Sequence, residues 1–358
     1  MSKNNTMRAW IHKSRNLPLE MGMELVENHP RPSESLRPNE LLIRVKCVGI
    51  NPADYIFAEM TWPGTPMIKQ TPLPGMDFSG EVISTGSSVT SIRQGDRVFG
   101  SVDTHKSLPG TMAELTIAEL EGCVRMPPGI DFEQAAGVGT AAITAYETIV
   151  LNCKAGDSVF INGGTGGVGT FAIQFAKSVG CHVTVRCSTA KIDLCKQLGA
   201  DMLTDYRTQD PVSVLSAEGR VFDLIVDDAY REESNLYRAA NRFIKRDGRF
   251  VMLPGSITGE AMYVIAKNMI CPAALGGGCG TNLAGFEQIA DWMSVRKVRT
   301  VIDTVFEFSD MPRAIEKIKS GSATGKTVID ITARVLLQLH GLVEQFVAAY
   351  EMFNGRLD

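Results

Sequence analysis

Residues 157–171 read DSVFINGGTGGVGTF and combine a short apolar run with a cluster of glycines. The apolar residues before the glycines predict a buried strand, and the pattern after them predicts a helix. Gly164, Gly166 and Gly169 lie between the two in the spacing G-x-G-x-x-G. In that setting the glycines permit a tight turn, close approach of the backbone to a pyrophosphate, and close packing of helix on strand. We therefore expect a turn that binds a dinucleotide at the helix N-terminus, although glycine-rich turns also occur in hairpins and flexible loops.

The chain has 358 residues, of which 44% are hydrophobic and 21% charged, with a formal net charge of −4. This length predicts two domains, and the composition is that of an ordinary globular protein. The charge does not favour nucleic acid or an anionic membrane surface as a partner.

Targeting signals and cysteine usage bear on the cellular compartment of the protein. No apolar run approaches the roughly 18 residues of a membrane span, and the first residues lack the apolar core of a secretory signal. The eight cysteines form no Cys-x-x-Cys pair, which favours reduced thiols over a disulfide framework. We expect a cytoplasmic protein.

The first third of the chain, residues 8–130, alternates short strand patterns with turns, which is typical of a barrel-like β domain. The clearest strand patterns cover 40–50, 78–85 and 112–117. Asn51-Pro-Ala-Asp54 is expected to end the first strand, and residues 55–66 to follow as an irregular loop that contains Trp62.

Beyond Asp131 the pattern changes, because helix and strand patterns alternate. A connecting helix pair is predicted at 132–138 and 141–151. The next predicted elements are strands 158–162, 182–187, 222–226 and 249–253, alternating with helices 167–179, 190–198 and 234–245. That order predicts a parallel sheet covered by helices on both faces. The last predicted elements are helix 286–295, strand 301–308, helix 311–319 and strand 327–331.

The C-terminal tail is a candidate amphipathic helix over residues 334–353, with apolar residues three or four apart. Such a helix could pack on the protein itself, pack on a partner chain, or lie on a membrane. Glu344, Glu351 and the scarcity of basic residues disfavour an anionic membrane, so we expect docking within the protein or a dimer.

The end of the second predicted strand of the parallel sheet bears on the choice of nucleotide. Many dinucleotide folds place a carboxylate there for the ribose 2′-hydroxyl, but this strand is followed by no acidic residue before Asp193. Positive charge and hydroxyl donors suit a 2′-phosphate, and the sequence provides Arg186, Ser188, Thr189 and Lys191. This favours NADPH over NADH. In the alternative, Ser188 is only a helix cap and Lys191 a solvated helix residue.

An ordered set of motifs resembles the medium-chain dehydrogenase/reductase superfamily, and within it the zinc-free quinone-oxidoreductase-like branch of fungi and plants. The motifs are GINPAD (49–54), GMDFSGEVISTG (75–86), QGDRVFG (94–100), GTMAEL (110–115), INGGTGGVGTFAIQFAK (161–177), LGAD (198–201) and GSATGK (321–326). The resemblance implies an α/β fold with a GroES-like β-barrel catalytic domain and a Rossmann doubly wound parallel-sheet domain. The expected boundaries are 1–131 for the catalytic domain, 132–285 for the NADPH-binding domain, 286–331 for a return segment that completes the catalytic domain, and 332–358 for the tail.

The resemblance also implies roles for single residues. It places Asn51 and Thr144 beside the nicotinamide, and Tyr55 is expected in the wall of the cleft. The cofactor-binding candidates are Gly164, Thr165, Gly166, Gly167, Val168 and Gly169 along the pyrophosphate, Arg186, Ser188, Thr189, Lys191 and Tyr206 near the 2′-phosphate, Leu253, and Lys326 near the phosphates.

Several of these candidates have a purely structural alternative. Tyr206 could be a surface aromatic and Tyr55 an ordinary packing residue. Asn51 could be a turn former and Thr144 a hydroxyl bonded to its own helix. Lys326 could be a solvated charge.

Zinc-using members of the superfamily carry a Cys, a His-Glu pair and a second Cys in the catalytic cleft. The corresponding positions here are Asn51, Met76-Asp77 and Thr140. These side chains are poor zinc ligands beside thiolate and imidazole. The four-cysteine lobe of those relatives would follow Phe99, and residues 100–115 contain no cysteine. We expect neither a catalytic nor a structural zinc ion.

Two segments depart from the pattern of the superfamily. Only seven residues separate the triplet Gly276–Gly278 from the predicted helix 286–295, where relatives usually have an edge strand that pairs two subunits. A monomer and a homodimer therefore both stay open. Asp227-Asp-Ala229 replaces a turn that is usually Asp followed by a Val-Gly-Gly-like sequence, with no reason visible in the sequence.

The residues at the expected cleft also bear on the reaction. Without a metal to polarise oxygen, the best acceptor is one that already stabilises negative charge, such as a quinone or an α,β-unsaturated carbonyl compound. Hydride from NADPH would reduce it, with the protein supplying orientation and a dry cleft. A biosynthetic enoyl reductase for a polyketide-like substrate and a low-turnover NADPH-binding scaffold protein are the alternatives. No dedicated general acid is apparent.

Overall fold

The computed structural model describes residues 5–14, 17–59, 73–103, 109–229, 236–253 and 282–332. Its strands are β1 (Thr6–His12), β2 (Met23–Pro30), β3 (Glu40–Ile50), β4 (Asp77–Thr85), β5 (Arg97–Ser101), β6 (Leu115–Glu119), β7 (Cys123–Arg125), β8 (Ser158–Asn162), β9 (His182–Cys187), β10 (Met202–Asp205), β11 (Phe222–Asp227), β12 (Ile244–Met252), β13 (Ile302–Glu307) and β14 (Lys326–Asp330).

The helices are shorter and connect these strands. They are α1 (Leu19–Gly22), α2 (Pro52–Glu59), α3 (Phe132–Ala136), α4 (Gly139–Ala145), α5 (Gly167–Val179), α6 (Ile192–Gln197), α7 (Pro211–Glu218), α8 (Leu236–Ala239), α9 (Leu283–Ser294) and α10 (Met311–Lys319). A π-helical turn, Tyr146–Val150, continues α4.

The first large sheet is built on β3, the longest strand. Its order is β13-β14-β3-β4-β5-β7, with β6 paired to β3, and β1 and β2 form a separate antiparallel ribbon. The last two strands return to the N-terminal part of the chain, since β14 pairs antiparallel with β3 and aligns Thr327 with Ile50. This register places the start of β14 beside the end of β3.

The second sheet is parallel and has the order β10-β9-β8-β11-β12. In chain order this is 3-2-1-4-5, so the winding reverses between β8 and β11. Val159, Phe160 and Ile161 of β8 are all fully buried, as expected of a central strand covered on both faces. The predicted doubly wound sheet is confirmed.

Local sequence explains where several helices begin and end. Asp131 caps α3 by accepting a hydrogen bond from the Gln134 backbone N–H at 2.7 Å. Asp210 does the same for α7, in which Pro211 takes the first helical position. Gly180 ends α5 with a positive φ of 98°, a conformation that favours glycine.

The two sheets share apolar contacts at their junction. Phe99 of β5 and Phe286 of α9 meet edge to face, with ring centroids 6.1 Å apart. Both rings belong to the same buried cluster as Phe171 and Phe175 of α5. The core of the parallel sheet therefore extends to β5 of the first sheet.

Some predictions were wrong. Residues 55–59, expected to begin an irregular loop, are helical, because α2 spans Pro52–Glu59. The Asp54 carboxylate accepts a hydrogen bond from the Asn51 backbone N–H at 2.7 Å, which resembles a capping box with proline at the first helical position. The predicted helix 234–245 ends early because Ile244 already pairs as part of β12.

Other predictions fall outside the described residues. These are the loop containing Trp62, the glycine triplet 276–278 with its missing edge strand, and the helix predicted at 334–353. Within the described ranges, no helix is both long enough and apolar enough to cross a bilayer.

Candidate cofactor and catalytic site

The glycine-rich turn lies between β8 and α5, as the sequence predicts. A Cβ atom at Gly164 would lie 2.1 Å from Cγ1 of Val185 on β9, and one at Gly169 would lie 2.2 Å from the Gly163 carbonyl oxygen. Both distances are far below van der Waals contact. These two glycines are therefore required for the strand, the turn and the helix to pack.

Gly166 differs from its neighbours, because the space beside it is open. A Cβ atom there would meet nothing closer than 3.6 Å, the nearest atoms being Oδ2 of Asp228 and the Gly163 carbonyl oxygen. Gly166 is also the N-cap of α5, so the first N–H groups of the helix lie beside this space. The turn fits the pyrophosphate of a dinucleotide.

The turn opens where the winding of the parallel sheet reverses, which is the usual ligand position in such sheets. The carboxyl ends of β8 and β11 meet there, and Asn162 donates a hydrogen bond to Asp227 at 2.7 Å. Arg186, at the end of β9, donates to Asn162 at 3.1 Å. Three adjacent strand ends are thereby held by one chain of polar side chains.

The residues predicted near a 2′-phosphate lie at the ends of β9 and β10. Ser188 holds the N-cap position of a short 3-10 turn, but its side chain makes no capping hydrogen bond. Lys191 donates a long hydrogen bond of 3.5 Å to the Ala323 carbonyl oxygen. Tyr206 is 45% exposed, and its ring centroid lies 5.2 Å from the Arg186 guanidinium carbon. The Tyr206 exposure suits either a ligand contact or a surface aromatic.

Sequence reasoning missed one acidic residue in this region. Asp205 ends β10, and its carboxylate accepts a hydrogen bond from the Thr189 hydroxyl. Its other oxygen accepts from the Arg207 backbone N–H at 2.9 Å. Hydrogen bonding to Thr189 lowers the pKa of Asp205. The carboxylate comes from the neighbouring strand, so the residues after β9 do not reveal it.

A second polar cluster, which we call the junction network, consists of Asn51, Asp77, Thr140 and Lys326. Asn51 follows β3, Asp77 begins β4 and is aligned with Gly49, and Lys326 begins β14. Thr140 lies in the first turn of α4. Chain register therefore brings together residues that are far apart in the sequence.

Asp77 is the centre of the junction network and is fully buried. One carboxylate oxygen accepts the Thr140 backbone N–H at 2.8 Å and the Thr140 hydroxyl at 2.7 Å. The other oxygen accepts the Asn51 amide at 2.8 Å. A Cβ atom at Gly139 would lie 2.1 Å from the Asp77 side chain, so only glycine allows α4 to approach this closely.

Lys326 supplies the positive charge of the junction network and is 2% exposed. Its ammonium group donates to the Ile50 carbonyl oxygen at 3.0 Å and to the Asn51 side-chain oxygen, and lies 3.5 Å from the Asp77 carboxylate. Burial lowers the pKa of Lys326, and the two nearby aspartates oppose that effect. The alternative of a solvated charge is therefore wrong.

Asp54 lies beside the junction network and was not predicted as a site residue. Burial raises its pKa to about 7, the charge of Asp77 raises it further, and the Asn51 backbone N–H opposes the shift. The spacing Asn-Pro-x-Asp, typical of a helix start, is the sequence signal that could have identified it.

The remaining candidates have these surroundings. Thr144 donates its hydroxyl to the Thr140 carbonyl oxygen at 2.8 Å, so the predicted bond to its own helix is present. The Tyr55 ring centroid lies 5.1 Å from the Lys319 ammonium. Val168 packs on the main buried cluster, and the Leu253 backbone N–H donates to the Asp227 carbonyl oxygen at 2.9 Å.

Comparison with known proteins gives the family. Residues 37–128 match the alcohol dehydrogenase GroES-like domain, and residues 198–329 match the zinc-binding dehydrogenase family. A trans-enoyl reductase of Aspergillus terreus is 38% identical, over 91% of this chain and 97% of that protein. The chain belongs to the medium-chain dehydrogenase/reductase superfamily. The predicted family and its two-domain fold are confirmed.

Other members of the superfamily are similar over most of the chain at lower identity. The chloroplastic NADPH-dependent alkenal/one oxidoreductase of Arabidopsis thaliana is 30% identical, over 90% of this chain and 79% of that protein. The solved quinone oxidoreductase of Coxiella burnetii superposes with a TM-score of 0.74 at 27% identity, covering 91% of this chain and 99% of that one. The chain is an oxidoreductase of this superfamily.

The positions that correspond to zinc ligands in other members are occupied here by hydrogen-bonded partners. Asp77 accepts hydrogen bonds from both Asn51 and Thr140, and the Lys326 ammonium donates to Asn51. Within the described ranges, no cluster of three or more His, Cys, Asp or Glu side chains is arranged to hold a metal ion.

Proposed function

We propose that the protein uses NADPH to reduce quinones or α,β-unsaturated carbonyl compounds by hydride transfer. The contact between the glycine-rich turn and the junction network carries this proposal. The Gly325 backbone N–H donates to the Thr165 carbonyl oxygen at 2.9 Å. A Cβ atom at Gly167 would lie 3.2 Å from Cδ of Lys326. A dinucleotide on the turn would therefore reach toward the residues expected beside the nicotinamide.

The preference for NADPH rests on the positive charge at the end of β9. Arg186 and Lys191 provide two cations near the expected 2′-phosphate, and Ser188 adds a hydroxyl that no capping bond uses. Asp205 would compete by favouring an unphosphorylated ribose, but hydrogen bonds to Thr189 and Arg207 engage both of its oxygens. The balance favours the phosphorylated cofactor.

The protein's part in the reaction is positioning and exclusion of water. NADPH, when bound, supplies the hydride. The junction network holds Asn51 and the start of α4 in one arrangement, so that Thr144, one turn beyond Thr140, stays at a defined place. Buried, fully hydrogen-bonded polar groups of this kind keep their geometry without further reorganisation. An acceptor that already stabilises negative charge needs no further polarising group.

A second candidate function is reduction of an enoyl chain in a biosynthetic pathway. The protein named a trans-enoyl reductase is 38% identical to this chain, whereas the relatives that support the first candidate are 30% identical. The higher identity favours the second function. Both functions use the same hydride transfer to an activated double bond. They differ in the size and attachment of the acceptor.

The test is a panel of quinones, enals, enones and enoyl thioesters, each assayed with NADPH and with NADH, with zinc measured in the same preparation. Turnover of free quinones or enones with NADPH is the expected result. Turnover of enoyl thioesters alone would support the second function. No turnover together with tight NADPH binding would support the scaffold alternative and contradict both.

The cytoplasmic location and the monomeric or dimeric state stay predictions of the sequence. Cell fractionation tests the first, and the mass of the purified protein in solution tests the second.

A further inference from the structure

Asp228 stands at the place where the sequence departs from the usual turn of the superfamily. It directly follows β11, and its backbone N–H donates to the Asn162 carbonyl oxygen at 2.9 Å. One of its carboxylate oxygens lies 3.6 Å from the position of a Cβ atom at Gly166. The side chain therefore borders the open space beside the glycine-rich turn.

This is the space that the pyrophosphate would use. The N-terminus of α5 favours one negative charge, and the Asp228 carboxylate already interacts with the Gly169 backbone N–H in that helix. Two anions at one helix N-terminus repel each other. An ionised Asp228 and a bound pyrophosphate are therefore competitors.

The charges around Asp228 do not relieve this competition. Asp227, on the same strand end, is a second carboxylate. Among the described residues, Lys326 packs beside Gly167 of the turn. Its ammonium group, however, binds Ile50 and Asn51. Arg186 is directed at Asn162, and the turn itself carries no charged side chain. The positive partner that remains is the helix N-terminus.

Burial and the neighbouring Asp227 raise the pKa of Asp228 to about 8, against the opposite effect of the Gly169 N–H. Near neutral pH the carboxyl group therefore holds a proton much of the time. A neutral carboxyl group can donate its O–H to a phosphate oxygen, which an ionised one cannot do.

We propose that Asp228 binds the cofactor pyrophosphate in its protonated form, so that dinucleotide binding takes up a proton at this carboxyl group. The inference rests on the proposed cofactor site and adds a residue to it. The sign is fixed by linkage. Since the bound state holds the proton more tightly, affinity is constant at low pH and falls as pH rises through the range in which free Asp228 ionises.

The test is calorimetric titration of NADPH into the full-length protein from about pH 6 to about pH 9.5, with wild type and Asp228→Asn. The wild-type Kd is expected to rise about tenfold for each pH unit above about 8. The Asn side chain keeps the shape and a hydrogen-bond donor but cannot ionise, so its Kd should stay level. The two proteins should agree within a few-fold near pH 6 and differ by more than tenfold at the highest pH.

Adenosine 2′-phosphate is the matched control ligand, because it lacks the pyrophosphate and should bind with no such slope above pH 8. Thermal melting of both proteins across the same range checks that each stays folded. A level wild-type profile, or an equal slope in Asp228→Asn, would overturn the role of Asp228 while leaving the proposed function intact. Absence of NADPH binding at every pH would overturn both.

Discussion

A single carboxylate oxygen of Asp77 accepts two hydrogen bonds from Thr140, one from its backbone N–H at 2.8 Å and one from its hydroxyl at 2.7 Å. Asp77 belongs to the first sheet, and Thr140 begins the helix that leads to the parallel sheet. This pair therefore joins the two halves of the molecule at a fully buried position.

Thr140→Val keeps the shape of the side chain and removes the hydroxyl. We expect a loss of about 1.5–3 kcal/mol in the free energy of unfolding, because the hydrogen bond goes to a charged group. Thr116→Val is the matched control, since that buried hydroxyl donates to the neutral Pro109 carbonyl oxygen at 2.8 Å and should cost about 1 kcal/mol. Urea unfolding measures both, and equal losses would contradict the special role of Asp77.

Lys326→Met removes the cation of the junction network and leaves Asp77 buried without it. Breaking a buried pair in this way costs about 3–5 kcal/mol. The double substitution Lys326→Met with Asp77→Asn should recover part of that loss, because it removes the uncompensated charge. Denaturant unfolding of the two single variants and the double variant gives the coupling energy. Simple additivity would show that the two charges do not interact.

Asp54 predicts a pH dependence of stability. Its pKa of about 7 in the folded protein lies above the ordinary value of an unfolded aspartate, so the folded state binds the proton more tightly. Its contribution is therefore present at acid pH and decreases as pH rises through the range up to about 7. Asp54→Asn can still accept the Asn51 N–H and should flatten this part of the profile. Melting temperatures measured across that range check it, and an unchanged profile would argue against the shift.

Lys191→Glu tests the choice of cofactor. Replacing a cation by an anion beside the expected 2′-phosphate should reduce the preference for NADPH over NADH by at least about tenfold. Lys196→Glu is the control, because that residue is exposed on α6, the helix that Lys191 precedes. Dissociation constants for both nucleotides are the measurement. If the two variants behave alike, Lys191 does not contact the phosphate.

Gly166→Ala and Gly169→Ala form a matched pair in one turn. The first methyl group enters open space, so the protein should fold normally and lose dinucleotide affinity, by about tenfold or more, because the backbone can no longer approach the pyrophosphate. The second would meet the Gly163 carbonyl oxygen at 2.2 Å and should destabilise the fold itself. Melting temperature and NADPH affinity separate the two effects. Unchanged affinity in Gly166→Ala would contradict the proposed position of the cofactor.

Local patterns predicted the parallel sheet well, because β8, α5 and β9 each carry their signal in a few consecutive residues. The strand β10 and the helix α7 were missed. Met202 is more than half exposed, so the short strand shows no buried apolar run. The helix α2 was missed although Pro52 and Asp54 occupy typical helix-start positions.

The junction network shows what local patterns cannot reach. Lys326 and Asn51 are 275 residues apart, and their contact depends on the pairing of β14 with β3. Family resemblance placed Asn51, Asp77 and Thr140 at corresponding positions and Lys326 near the phosphates. It did not indicate that the Lys326 ammonium group binds Asn51 within the network. Asp205 and Asp228 likewise come from strand ends whose neighbours are set by the order of the sheet.

Hydride transfer is tested most directly by following deuterium from NADPH that carries deuterium at both C4 positions into an enone. We expect the product to gain one deuterium at the carbon β to the carbonyl group, while the proton at the α carbon comes from solvent. Mass spectrometry and NMR of the product measure both. Oxidation of NADPH without label in the product, or recovery of the enone unreduced, would contradict hydride transfer to an activated double bond.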